Sequence, residues 1–178
     1  MSREHWVPLR LPWPLAEVAA QAAVKRRLLA LHDGRPDAWG ASKDSWAGEI
    51  ESCGAEAAVA VYTNRFWQPW ARRPSEIAAD VSGLYEVKWR SNPGWDLILH
   101  GDDKDGQLAI LVVGALPDYL LCGWIEMARA KASYPYSDPY QTGRPAIWVP
   151  PDDLSPMQSL PPGEGPSRRR HVTTRSRA

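Results

Sequence analysis

The segment Ala79-Asp80-Val81-Ser82-Gly83-Leu84-Tyr85-Glu86-Val87-Lys88-Trp89-Arg90 gathers two carboxylates and two cations around a turn. Ser82-Gly83 is the turn signal, with apolar-flanked arms on either side. A loop of residues 82–84 sets Asp80 directly across from Glu86, on one face and about 5 Å apart. The period of a strand returns Lys88 to that same face. A loop shorter by one residue would rotate Asp80 to the other face. Carboxylates held this close repel, and a hard divalent cation such as Mg²⁺, which prefers oxygen ligands, offsets that repulsion. Such an ion activates water and stabilises charge developing on a phosphoryl oxygen. Lys88 is then placed to orient the attacking water or to act as a fixed cation. Tyr85 and Trp89, at odd positions, are expected to face the core. Arg90 continues the Lys88 face, where it is a candidate phosphate contact or an ordinary surface arginine.

The elements around this segment decide whether it can work. A helix is expected from about Ser45 to Tyr62, with Trp46, Ile50, Cys53, Ala57 and Val61 at helical spacing. The small residues Gly54, Ala55, Ala57 and Ala58 would let it sit close against a sheet. At about 100° per residue, Glu49 and Glu56 fall on one side, bordering the apolar face, and Glu51 points toward solvent. Glu56, among the small residues, is the first choice for a helix-borne acid beside Asp80 and Glu86, then Glu49, then Glu51. An earlier helix is expected from Leu15 to His32, opened by Pro14 and stopped by Asp33-Gly34. Strands are expected at Leu84–Trp89, Trp95–His100, Leu108–Gly114, Tyr119–Ile125 and Ala146–Val149, with a short helix at Glu126–Ala132. His100 to Gly106 is expected to be a hairpin turn between two of these strands. Helices first and then strands in succession imply an α/β (α+β) domain, with a mixed central sheet flanked by helices. Residues 1–14 are expected as an extended arm, 15–157 as the domain, and 158–178 as a basic Pro/Gly/Arg-rich tail without fixed structure.

Glu56, Asp80 and the strand Glu86-Val87-Lys88 together resemble the PD-(D/E)XK nuclease superfamily. The segments ESCGAEAAVAVY, DVSGLYEVKW, LAILVVG, YLLCGWIE and AIWVPPDDL also look like small phage and bacterial proteins of that type, over about residues 44–157. The resemblance implies a restriction-endonuclease-like fold and a Mg²⁺ or Mn²⁺ site formed by Asp80, Glu86 and Glu56, with Lys88 beside it. It also implies cleavage of phosphodiesters in nucleic acid, DNA being the expected substrate. The sequence departs from the pattern in having Ala79, not proline, before Asp80.

The remaining signals narrow the class. Formal net charge is zero over 178 residues, so no global field recruits nucleic acid. Arg168, Arg169 and Arg170 make the C-terminus locally basic, either a phosphate-binding tail or a solvating end. Lys25-Arg26-Arg27 and Arg72-Arg73 could extend such a surface. Ten tryptophans suit a Trp-rich core and rim, with base stacking the less common role. Cys53 and Cys122 read as reduced, buried residues. No apolar run reaches about 18 residues, and the N-terminus lacks a signal-peptide core, so a cytoplasmic protein off the membrane is expected, in a bacterial or phage-infected cell. Asp102 to Gly106 fails the calcium-loop spacing, and the four histidines lack zinc spacing. Against the enzyme stand three plainer readings. One is a solvent-facing strand with an ordinary salt bridge. Another is an inactive nuclease-like module that binds nucleic acid or protein, with the Trp loop at 66–70 as contact surface. The third is a structural protein of a phage particle.

Overall fold

The computed structural model describes residues 3–34, 45–70, 79–139, 141 and 143–161. It is an α+β fold. Strand β1 (Val7–Arg10) leads into helices α1 (Trp13–His32) and α2 (Ser45–Thr63). Strands β2 (Tyr85–Arg90), β3 (Leu97–Leu99), β4 (Leu108–Ala115) and β5 (Asp118–Glu126) follow, then helix α3 (Met127–Ser133) and strands β6 (Tyr136–Ser137) and β7 (Ala146–Val149). The main sheet is mixed, in the order β1-β5-β4-β2, with only β2 and β4 parallel. A second, antiparallel sheet has the order β3-β7-β6.

Strand alternation divides the interior into two cores. Tyr85, Val87, Trp89, Leu108, Ile110 and Val112 pack with α1 and α2 on one face of the main sheet. Ala109, Leu111 and Val113 face the other way, against Leu97, Leu99, Ile147 and Val149 of the second sheet and Met127 of α3. The helix pair closes tightly because its buried faces are small: Ala16, Ala19 and Ala23 of α1 meet the core that also holds Cys53, Ala57 and Ala60 of α2. Gly54 lets α2 reach the sheet, since a Cβ there would overlap the Tyr119 hydroxyl. Both cysteines are buried and free; burial first of all raises the thiol pKa of each, that of Cys122 to about 12.

Several boundaries differ from those read in the sequence. Residues 1–14 are not merely an arm: Val7–Arg10 pair with β5 as an edge strand, where Pro8 needs no ladder donor. The turn at His100–Gly106 does not close a hairpin, because β3 and β4 belong to different sheets. Helices flank both faces of the main sheet, α1 and α2 on one and the short α3 on the other, where the second sheet also packs. Packed structure continues past residue 157. Met157 is buried in a single 3₁₀ turn, Leu160 packs on the first core, and Tyr85 Oη donates to the Pro161 carbonyl at 3.0 Å. Arg72, Arg73 and the tail arginines Arg168, Arg169 and Arg170 lie outside the described residues.

Candidate active site

The turn at 82–84 has the length that the Asp80/Glu86 geometry needs. Val81 and Tyr85 form an antiparallel bridge and exchange both backbone hydrogen bonds at 3.0 Å, leaving 82–84 as the loop. Ser82 and Gly83 take positive φ, 58° and 70°, which the Ser-Gly pair tolerates at a tight reversal. Asp80 therefore follows Val81 outward, opposite Glu86. Its side chain then takes over from the ladder: Asp80 Oδ2 accepts the Val87 N–H at 2.8 Å. Strand β2 is an edge, and backbone N–H groups lie in the plane of a sheet, so this bond sets the Asp80 carboxylate at the sheet's free edge. From there it is open to groups on both faces.

Glu56 approaches from the helix side. Its Oε1 accepts Arg26 Nη1 at 2.7 Å, and its Oε2 accepts Arg26 Nη2 and Trp67 Nε1, each at 2.8 Å. These three bonds use most of the roughly four lone-pair sites of a carboxylate. Burial alone would lower the Arg26 pKa, but its bidentate bond to Glu56 outweighs that and raises it. Arg26 is thus the half-buried ion-pair partner of a buried Glu56 and not part of a basic surface. Its neighbour Lys25 instead lies over the Trp70 ring, 5.1 Å from the centroid.

Glu86 and Lys88 project from the opposite face of β2. Lys88 Nζ lies 3.0 Å from Glu86 Oε1 and 3.2 Å from Asp103 Oδ1. Burial pulls the Lys88 pKa down, yet Glu86 and Asp103 more than compensate, and the net shift is upward. Asp103 is itself fixed: its Oδ2 accepts the His100 N–H at 2.8 Å, and Lys131 of α3 bonds its carbonyl oxygen and the Asp105 carboxylate. His100 is shifted the other way, lowered by burial and then by the Lys88 charge, which favours a neutral ring.

Asp80 joins the two sides. Its pKa is raised by burial first, then by the charges of Glu56 and Glu86, against the pull of the Val87 N–H and Lys88. Glu56, Asp80, Glu86 and Lys88, chosen from type and spacing, therefore share one electrostatic neighbourhood. Beside it opens a cleft of about 880 Å³, whose lining includes Glu86, Lys88, Arg90, His100, Arg144 and Trp148. Among the described residues, no three His, Cys, Asp or Glu side chains form a ready-made metal cage.

Other residues behave differently from the sequence reading. Glu51 does not point to solvent. Its Oε2 accepts the Leu116 N–H at 2.7 Å and the Tyr119 hydroxyl at 3.0 Å, so it ties α2 to the β4–β5 turn. Arg90 does follow Lys88 into the cleft, with its guanidinium over Trp95 at 5.0 Å from the ring centroid. Asp103, His100, Arg144 and Trp148 also line the cleft, beyond the residues the sequence points to. Asp103 had one available signal, three aspartates in a turn too exposed to serve as a core.

No family model, curated protein or solved structure matches the chain. Among the described residues, no helix is long and apolar enough to cross a membrane.

Proposed function

We propose that this chain is a metal-dependent phosphodiesterase of the PD-(D/E)XK type, acting on nucleic acid, with DNA as substrate, inside a bacterial or phage-infected cell. One observation carries the reading: the Asp80 carboxylate sits on the Val87 N–H at the free edge of β2, where burial and then Glu56 and Glu86 raise its pKa, while Glu86 and Lys88 line the neighbouring cleft. An aspartate whose ionisation is opposed by two other acids gains most from a hard cation. Mg²⁺ commonly takes only one or two carboxylates and completes its shell with water and substrate phosphate, so Asp80 and Glu86 suffice as protein ligands. When bound, the ion (Mg²⁺ or Mn²⁺) would supply Lewis-acid polarisation and a more acidic water.

The chain's own residues take the remaining work. Lys88, its pKa raised, stays protonated near neutrality and so serves as a fixed cation and donor toward phosphoryl oxygen or the attacking water, not as a base. Asp103 and Glu86 hold that ammonium in place. Glu56, with its oxygens on Arg26 and Trp67, contributes chiefly by fixing α1, α2 and the 66–70 loop behind Asp80 and by keeping the field there negative. Arg90 stands in the cleft as a phosphate contact.

The test is Mg²⁺-dependent cleavage of single- and double-stranded DNA by the wild type, Asp80→Asn and Lys88→Ala, with folding followed by circular dichroism. Both variants should lose cleavage and remain folded. Equal cleavage by all three proteins would refute the assignment. A non-catalytic nucleic-acid-binding module is the second reading, favoured by the internal pairing of Lys88 with Glu86 and Asp103. Nucleic-acid affinity without Mn²⁺ uptake would select it.

A further inference from the structure

The outer face of the second sheet carries an apolar pair that neither core explains. Leu97, Leu99, Ile147 and Val149 alternate into the interior, so their neighbours Ile98 and Trp148, which pair across β3 and β7, face away from it. Both are half-buried, and both line the cleft that holds Glu86 and Lys88. The Trp148 indole is tethered at its edge, its N–H donating to the Ser137 carbonyl at 3.1 Å. Three cations share the lining: Lys88, paired with Glu86 and Asp103, Arg90, stacked over Trp95, and the exposed Arg144.

We propose that this wall binds an unpaired DNA strand, with a base stacked on Trp148 and the flanking phosphates on Arg144 and Arg90. The inference rests on the nucleic-acid part of the preceding reading and goes beyond it in naming strandedness. A flat indole beside cations is the pairing that single-strand sites use, since every base has a π-face and every linkage an anionic phosphate. In a duplex the base faces are already stacked on one another, so only an unpaired or splayed nucleotide can offer one to an indole. The cleft volume, about 880 Å³, also lies within the range of small-ligand pockets, about 300–1,000 Å³.

Binding is measured by fluorescence anisotropy in EDTA, so that no cleavage intervenes. The probes are a labelled oligothymidylate of about 20 nucleotides, longer than a typical single-strand site, its duplex with oligoadenylate, and an oligouridylate. The single DNA strand should bind at least about tenfold tighter than the duplex. Trp148→Ala should weaken it about tenfold, Trp148→Phe distinctly less, and Arg144→Ala should reduce the salt slope by about 1. Should Trp148→Ala unfold, the wild-type strand preference and the exposed Arg144→Ala variant still decide. Duplex binding as tight as single-strand binding, a folded Trp148→Ala with unchanged affinity, or tighter binding of oligouridylate would each overturn the proposal. Cleavage is scored separately with Mg²⁺. Strand-selective, Trp148-dependent binding by a protein that cuts nothing would sink the nuclease reading alone. Duplex cleavage insensitive to Trp148→Ala would sink this inference alone.

Discussion

Replacing Arg26 by methionine isolates the support behind the site from the site itself. The Glu56 side chain is 8% exposed and that of Arg26 21%, joined by two charge-assisted bonds of 2.7 and 2.8 Å. Arg26→Met keeps the aliphatic packing but leaves Glu56 with Trp67 as its donor, near Asp80. Removing one partner of a buried ion pair costs about 3–5 kcal/mol, because the other charge stays desolvated. For a chain of 178 residues each kcal/mol moves Tm by roughly 2–4 °C, so the midpoint should fall by roughly 6–20 °C. Urea denaturation at pH 7 gives the free energy directly. The double variant Arg26→Met/Glu56→Gln removes the stranded charge yet keeps an acceptor for the Trp67 N–H, and it should recover at least half of the loss. A single variant within about 1 kcal/mol of wild type would mean the pair behaves as a solvated surface bridge, contrary to its burial. A double variant as unstable as the single would refute the charge-based explanation.

Other outcomes follow from the same geometry. Asp80 has its pKa raised by burial, Glu56 and Glu86, so the folded protein holds that proton more tightly than the unfolded chain. The associated stability is greatest below the ordinary value of 3.8 and is lost as pH rises toward the folded value. Metal-free Asp80→Asn should therefore gain on wild type over that rise, and parallel pH–stability curves in thermal melts would count against it. Asp103→Asn withdraws one of the carboxylates that hold the Lys88 ammonium. Cleavage should fall roughly ten- to a hundredfold and its alkaline limb should move to lower pH, with Mn²⁺ uptake unchanged. A pH–rate profile of unaltered shape would remove Asp103 from this role. Gly54→Ala drives a methyl into the Tyr119 hydroxyl, and overpacking of about 1–3 kcal/mol should exceed the helix-propensity gain of about 1 kcal/mol. Urea denaturation would show the net loss, and a stabilised variant would mean that α2 has room to move.

Much of the site could be read from the sequence because its residues are close along the chain. Ser82-Gly83 announced the reversal, and strand alternation then placed Tyr85 and Trp89 inward and Glu86, Lys88 and Arg90 together on the other face. The apolar run of β4 and the Ala146–Val149 strand were equally plain, being long or sharply bounded. Strand β3 fell inside the expected Trp95–His100 strand, but β6, with 2 residues, is too short to display a period, and nothing local marks β3, β7 and β6 as a sheet of their own. Strand β1 was hidden by Pro8, which an edge strand tolerates, and by Pro12 and Pro14 just after it. Contacts between distant elements left no local signal. Arg26 and Glu56 are 30 residues apart and meet only when α1 packs on α2. Helical-wheel angles alone sent Glu51 to solvent, whereas Leu116 of the β4–β5 turn and Tyr119 of β5 supply it with two donors. Asp103 is 15 residues from Lys88, in a turn held by the His100 N–H and by Lys131 of α3.

Isothermal titration of Mn²⁺ into the metal-free wild type and into Asp80→Asn tests the central claim most directly. The wild type should bind saturably, and the variant should lose that binding while its fold persists. Absence of binding by the wild type, or the same isotherm for both proteins, would contradict it.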